Sequence, residues 1–146
     1  MIEYVSRDGI LLKNASHCNF IGGTSESNGR GLNCVNTGNF NNFFEGIWFE
    51  DNSLSDADLY GRGYRFVDCN FGTGLNSKPL YPNVNCVYSR RLQIEGGWMR
   101  WIDRQSTSAD TALTNVTICN VAGLGVTGSG TGTLTNCWYA AGPASD

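Results

Sequence analysis

The sequence predicts an all-β solenoid, a parallel β-helix, on three observations. Six cysteines recur at near-constant spacing, the residues around them alternate between apolar and polar, and helical periodicity is absent from almost the whole chain. The cysteines are Cys18, Cys34, Cys69, Cys86, Cys119 and Cys137, so successive gaps are 16, 35, 17, 33 and 18. Each long gap is close to two short ones, and the span from Cys18 to Cys137 divides into seven steps of 17.0. Self-similarity at a fixed short period is what a stack of like units leaves in a sequence. Two steps lack their cysteine, one at Asp51 and one near Trp101 or Ile102. At the first of these, Phe49-Glu50-Asp51-Asn52 lines up with Val67-Asp68-Cys69-Asn70.

Each element follows from that register. Val67-Asp68-Cys69-Asn70-Phe71 alternates as a half-buried strand does. Aligning the copies on the cysteines predicts inward columns of Leu32, Phe49, Val67 and Val84 on one side and Phe20, Phe71, Tyr88, Val121 and Tyr139 on the other. Between them an outward column holds His17, Asn33, Glu50, Asp68, Asn85 and Asn136. Gly/Ser/Asn/Thr clusters at 22–31 and 123–132 supply turns between strands. The repeat is expected to be about 17 residues long, with strands stacked about 4.8 Å apart. Extended chain advances at most about 3.3 Å per residue, so such a coil is compact, or the period is half of a larger one. The cysteines are expected to be free structural thiols, small and apolar enough to stack in an interior. That reading is preferred to disulfides, to zinc ligands, which favour C-x₂-C pairs, and to a catalytic thiol, because His17 beside Cys18 faces the other way on a strand. Asp51, standing in an inward slot, is expected to turn outward through a bulge.

The chain of 146 residues fits a single domain, 1–146. Its 40% apolar and 16% charged content is that of a folded protein. A net charge of −3 with ten scattered basic residues gives no basic stripe, so no nucleic-acid partner is expected. No apolar run approaches the roughly 18 residues of a membrane helix, so membrane insertion is not expected either. The start, MIEYVSRDGILLKN, lacks the basic-then-apolar layout of a signal peptide. The two sequons, at Asn14 and Asn115, are read as chance in so asparagine-rich a chain. No cofactor and no metal are expected.

The stretches Phe66-Val67-Asp68-Cys69-Asn70-Phe71 and Thr117-Ile118-Cys119-Asn120-Val121 resemble the coils of right-handed parallel β-helices of the pectate-lyase type. Among these the chain is most similar to bacteriophage tailspikes, whose coils carry the same Asn/Gly turns and exposed aromatic residues. The resemblance spans about residues 10–140 and is one of coil pattern, with no catalytic motif of the family matching residue by residue. It implies a homotrimeric appendage of the virion tail, made in the bacterial host cytoplasm, that attaches to capsule or lipopolysaccharide and often cleaves it. Such helices usually cap their ends, whereas Ile2-Glu3-Tyr4-Val5 reads as a strand at once. A piece of a longer tailspike or tail-fibre chain, or packing against partner chains, would explain this.

The outward column carries the sharpest site expectation. Trp48 and Glu50 are placed beside Phe66 and Asp68 on the next coil, with Asn33, Asn85 and His17 on coils nearby. Aromatic faces cover the apolar side of a pyranose ring while carboxylates and amides bond its hydroxyls. Trp48, Phe66, Asn33, Asn85 and His17 are therefore glycan-binding candidates. Glu50 and Asp68, about 5 Å apart at Cβ as lateral neighbours, are the candidate catalytic pair of a polysaccharide depolymerase. The same residues also suit an ordinary solvated sheet face. Trp98, Arg100 and Trp101 are candidates for a subunit interface, where such residues are enriched, or for gripping an acidic sugar. A bacterial β-helical adhesin without enzymatic activity is the remaining alternative.

Overall fold

A computed structural model describes residues 2–3, 7–72, 83–99, 101–104, 111–114, 117–120 and 125–141. The chain advances in threes: β1 (Ile2–Glu3), β2 (Asp8–Leu12) and β3 (Asn19–Ile21), then β4 (Thr24–Glu26), β5 (Arg30–Cys34) and β6 (Phe43–Glu45). It continues through β7 (Trp48–Glu50), β8 (Ser55–Arg62), β9 (Arg65–Val67), β10 (Asn70–Phe71), β11 (Val84–Arg90) and β12 (Gln93–Glu95). The last strands are β13 (Trp98–Met99), β14 (Trp101–Arg104), β15 (Thr111–Thr114), β16 (Thr117–Asn120), β17 (Gly125–Thr127), β18 (Gly132–Thr135) and β19 (Trp138–Ala141). Every third strand stacks on its predecessor, giving a first sheet β1-β4-β7-β10-β13-β16-β19, a second β2-β5-β8-β11-β14-β17 and a third β3-β6-β9-β12-β15-β18. All these strand pairings are parallel, for instance β4 on β7, β5 on β8 and β6 on β9. The protein is a parallel β-solenoid with three strands per coil, and the described residues contain no helix.

The coil follows neither the cysteine period nor twice that period. Register offsets run from 18, where Val84 pairs with Ile102, to 28, where Asn70 pairs with Trp98. The cysteine spacing misleads because cysteine marks any interior position rather than one column. Cys34 and Cys86 end or line strands of the second sheet, Cys69 and Cys137 sit at the corner between third and first sheets, and Cys18 sits at the corner before β3. The short cysteine steps are thus parts of a longer, irregular coil. Burial itself was legible: Leu32, Cys34, Phe49, Cys69, Phe71, Val84 and Cys86 are all interior. Val67 and Tyr88 are corrections, half-buried in outward registers beside Glu45 and Tyr60 respectively. The side chains of Cys119, Val121 and Tyr139 lie outside the described ones.

Stacked like on like, the interior forms ladders. Phe20, Phe44 and Phe66 stack face to face at 4.9 and 4.6 Å, and Phe49 lies over Phe71 at 5.3 Å. Phe66 meets Phe71 edge to face at 5.3 Å, joining the third-sheet and first-sheet ladders. Such ring pairs add about 0.5–1.5 kcal/mol each to what burial alone contributes.

Corners explain the asparagine content. Each turn leaves peptide groups pointing into the coil, and a buried amide side chain satisfies them. Asn52 Oδ1 accepts from the Asn28 N–H at 3.1 Å while its Nδ2 donates to the Ser25 carbonyl at 3.1 Å. At the next corner Asn39 accepts from the Ala15 N–H at 2.8 Å and donates to the Leu12 carbonyl at 3.1 Å, and Asn42 bridges Cys18 and Ala15 in the same way. The corners also need left-handed backbone. After β3, β6, β9, β12 and β18 the turn residue is Gly22, Gly46, Asp68, Gly96 and Asn136 in turn, all at positive φ. Two residues before each of the first four of those strands stand His17, Asn41, Gly63 and Arg91, again at positive φ. Gly, Asn and Asp tolerate this conformation best, so the turn chemistry is written coil by coil.

Candidate functional site

The expected patch is divided among three sides of the coil. Trp48 and Glu50 do share the outer face of the first sheet, and Trp48 is 49% exposed. Glu50, however, pairs laterally with Glu26 on one side. On the other side, where Phe49 is in register with Phe71, its neighbour is Gly72. Asp68 is exposed at the corner before β10, at φ 50°, so Glu50 and Asp68 are not lateral neighbours. The sequence offset from Trp48 to its partner Asn70 is 22, four more than the 18 that separate Glu50 from Asp68. Phe66 is fully buried between Phe44 and Ile94, so its exposed placement is overturned.

Asn33 and Asn85 lie on the second sheet, both in register with Asp58, and Asn33 donates to Asp8 Oδ1 at 3.1 Å. His17 is exposed at the corner between the second and third sheets, edge-on to Phe40 at 5.5 Å. Trp98 is on the first sheet and Trp101 on the second, where its Nε1 donates to Thr127 Oγ1 at 2.7 Å. Arg100 lies outside the described residues.

What the fold does assemble on the first sheet is a compact aromatic and acidic face. One outward column runs Thr24, Trp48, Asn70, Trp98, and the next runs Glu26, Glu50, Gly72. Gly72 is a notch for the neighbouring tryptophan. A Cβ there would collide with Cζ3 and Cη2 of Trp98, so the indole lies directly over the glycine backbone. The Trp98 ring thereby occupies the place next to Glu50 that a side chain at 72 would fill. Two rings thus flank Asn70 and border a pair of glutamates.

Glu26 and Glu50 are lateral neighbours. Partial burial, then a hydrogen bond and repulsion from Glu26, then repulsion from Asp51, raise the Glu50 pKa above the ordinary carboxylate value. Side by side, the two carboxyl groups offer a row of acceptors to a ligand's hydroxyls.

Asp51 turns outward as expected, but at a corner with φ 51° in place of a bulge. The interior acid is Asp56, 1% exposed at the start of β8. It accepts from Asn52 Nδ2 at 2.8 Å and from Asn83 Nδ2 at 2.9 Å. Burial pushes its carboxyl up to about 7, against those two hydrogen bonds. The buried thiols are likewise held protonated, with burial pushing Cys34 and Cys86 up to about 12 and Cys69 up to about 11. No nucleophilic thiolate forms at these positions near neutral pH.

Glu26, Asn70 and Gly72 were missed. One signal for Glu26 was available: Gly22-Gly23-Thr24-Ser25-Glu26-Ser27-Asn28 and Gly46-Ile47-Trp48-Phe49-Glu50-Asp51-Asn52 share G-x-x-x-E-x-N, and the register of the two strands matches that alignment. Comparison of the chain with protein-family models, with curated proteins and with solved structures finds no match.

Proposed function

We propose that this β-solenoid is a carbohydrate-attachment module that holds a bacterial surface polysaccharide, capsule or lipopolysaccharide, against the outer face of its first sheet. The observation that carries the reading is the juxtaposition of Trp48 and Trp98 with the Glu26–Glu50 pair and Asn70. Ring faces suit the C–H side of a pyranose, and carboxyl and amide groups suit its hydroxyls. A solenoid repeats its outer face about every 4.8 Å, which gives an extended polymer successive places to rest. In this reading the chain serves in a homotrimeric phage-tail appendage, assembled in the bacterial host, as its coil resemblance implies.

The test is equilibrium binding to a panel of purified bacterial polysaccharides, with Trp48→Ala as the comparison. Binding to at least one polymer, weakened tenfold or more in Trp48→Ala with unchanged thermal stability, is the expected result. Absence of binding across the panel, or equal binding by the variant, overturns the reading.

A second reading, cleavage of the bound polymer, is favoured by one observation: the raised Glu50 carboxyl is what a general acid needs. Release of new reducing ends that is lost in Glu50→Gln, with binding retained, would establish it. Intact polymer after prolonged incubation would leave attachment alone.

A further inference from the structure

Ten basic residues look scattered along the sequence, yet four of them meet at one edge of the solenoid. Arg62 ends β8 and Arg90 ends β11, and the two are direct lateral partners. Arg91 follows at the left-handed corner position, and Arg65 opens β9 across the same corner, in register with Gln93. This is the corner between the second and third sheets, the one that does not border the first sheet.

Like charges placed as lateral neighbours repel one another, and here little relieves them. Arg65 has Glu95 at 3.2 Å, with both side chains about half exposed, and among the described residues no carboxylate pairs with Arg62, Arg90 or Arg91. Aromatic rings hold the guanidinium groups instead: Arg62 over Phe40 at 5.9 Å, Arg65 over Phe43 at 5.9 Å and Arg90 over Tyr88 at 5.4 Å. Seated on a ring, a guanidinium stays extended with its N–H edge turned outward for a planar anion, although Arg65 already donates from Nη2 to Glu95. On the third-sheet side of this corner, walled by Arg65 and Arg91, lies a cleft of about 300 Å³ that Asn41, Phe43, Tyr64 and Gln93 also line. That volume suits one sugar unit, with two arginines at its wall and the amides of Asn41 and Gln93 beside them.

We infer that this corner is a second saccharide subsite, selective for an acidic sugar whose carboxylate is taken by Arg91 and Arg65 with Arg62 and Arg90 alongside. The assignment rests on the glycan-attachment reading and names the chemical class of one unit of the polymer. Uronate fits better than nucleic acid. The rings of Phe40, Phe43 and Tyr88 are already covered by arginines and offer no platform for base stacking. Four cations also fall short of the roughly 6–10 phosphate contacts that give strong backbone binding. A surface coat presents many polymer chains, so two sites on different sides of one solenoid add avidity without a new contact between them.

The experiment compares binding of the full chain to polygalacturonate, to its methyl ester, and to a single-stranded DNA oligonucleotide of equal length. The variants are R62Q/R90Q, R91N and W48A. Asn suits the left-handed position of Arg91, so R91N retains the turn. The expected result is preference for the free acid over the ester by at least tenfold, reduced to parity in R91N and in R62Q/R90Q with thermal stability retained. Acid binding that falls steeply with added salt in the unaltered chain and weakly in R62Q/R90Q is expected as well. Equal binding of acid and ester, a preference untouched by R91N and R62Q/R90Q, or binding of DNA in place of polygalacturonate would each overturn the inference. Loss of polymer binding in W48A with the arginine variants neutral would overturn the subsite while leaving the attachment reading standing. No binding by any chain to any polysaccharide would overturn both.

Discussion

Asp56→Asn isolates the cost of an acid inside the solenoid. Burial, aided by repulsion from Asp51 and Glu50 and opposed by the two asparagine hydrogen bonds, moves the Asp56 carboxyl from 3.8 to about 7. Its folded-state value thus lies above its unfolded one, so the native state holds the proton longer than the unfolded chain does. The contribution of this one group is most favourable below pH 3.8 and is lost progressively as pH rises to about 7. At about 1.36 kcal/mol per pH unit, the whole loss is about 4 kcal/mol, of which about 3 falls between pH 5 and 8. Asparagine does not titrate. It also costs something at every pH, because Asn52 and Asn83 both donate to Asp56 and a side-chain NH₂ accepts from neither. The forfeited hydrogen bond is a constant of about 1–3 kcal/mol. A protonated aspartate escapes it, since its hydroxyl oxygen still accepts. Urea unfolding at pH 5 and at pH 8, followed by circular dichroism, should show the variant gaining about 3 kcal/mol on the parent between the two. A stability difference that is the same at both pH values would refute the reasoning.

Three further outcomes follow from the packing. Phe66→Ala, which removes a fully buried ring stacked on Phe44 and set edge-on to Phe71, should cost about 3–5 kcal/mol in the same unfolding assay. Gly97→Ala should cost far more than Gly46→Ala in thermal melts: both sit at positive φ, but a Cβ at 97 runs into the Cys69 carbonyl whereas one at 46 meets nothing within 4 Å. Only the strain of about 1–2 kcal/mol then applies at 46. Native-state labelling with a thiol reagent, read by peptide mass spectrometry, should modify Cys18 and Cys137, which are partly exposed, well before Cys34, Cys69 and Cys86, which are buried and held protonated.

The solenoid was legible in the sequence for a physical reason, and its coil length was hidden for another. Alternation around Leu32, Phe49, Phe71 and Val84 marks which residues face inward, because a parallel sheet wrapped round a core leaves no other place for them. Cysteine shares that preference for the interior but has no preference among the three sides. A ruler made of cysteines therefore measured distances between sides as though they were distances between coils. The turn residues carried the true register. His17, Asn41, Gly63 and Arg91 lead the third-sheet strands, and Gly22, Gly46, Asp68 and Gly96 close them. Arg91 and His17 break the small-polar pattern, which is why the column does not announce itself in the sequence.

The same irregularity decides what could be said of the site. Trp48 and Glu50 are two apart on one strand, so their common face needed only the period of two that any strand has. Every cross-coil partner needed the coil length as well. That length is 22 between Phe49 and Phe71, and 28 between Phe71 and Met99. An error of four positions put Asp68 where Gly72 stands beside Glu50 and brought the buried Phe66 to the surface. The assumed coil of about 17 residues also concealed the arginine edge, since Arg62 and Arg90 become neighbours only at an offset of 28. In a solenoid, chemistry that spans coils belongs to the corners, because their lengths set which side chains meet. A residue inserted between Phe71 and Val84 that leaves the register of β11 unchanged keeps Arg62 beside the same arginine. If instead it shifts the register of β11, both Arg90 and Asn85 lose their partners at once. Conversely, Glu26 and Glu50 are tied by one coil, two of whose three corners are pinned by Asn28–Asn52 and Asn39–Ala15 hydrogen bonds. The acidic pair is thus held by buried amides rather than by its own contacts, and removing Asn52 should disturb it more than changing the exposed residues around it.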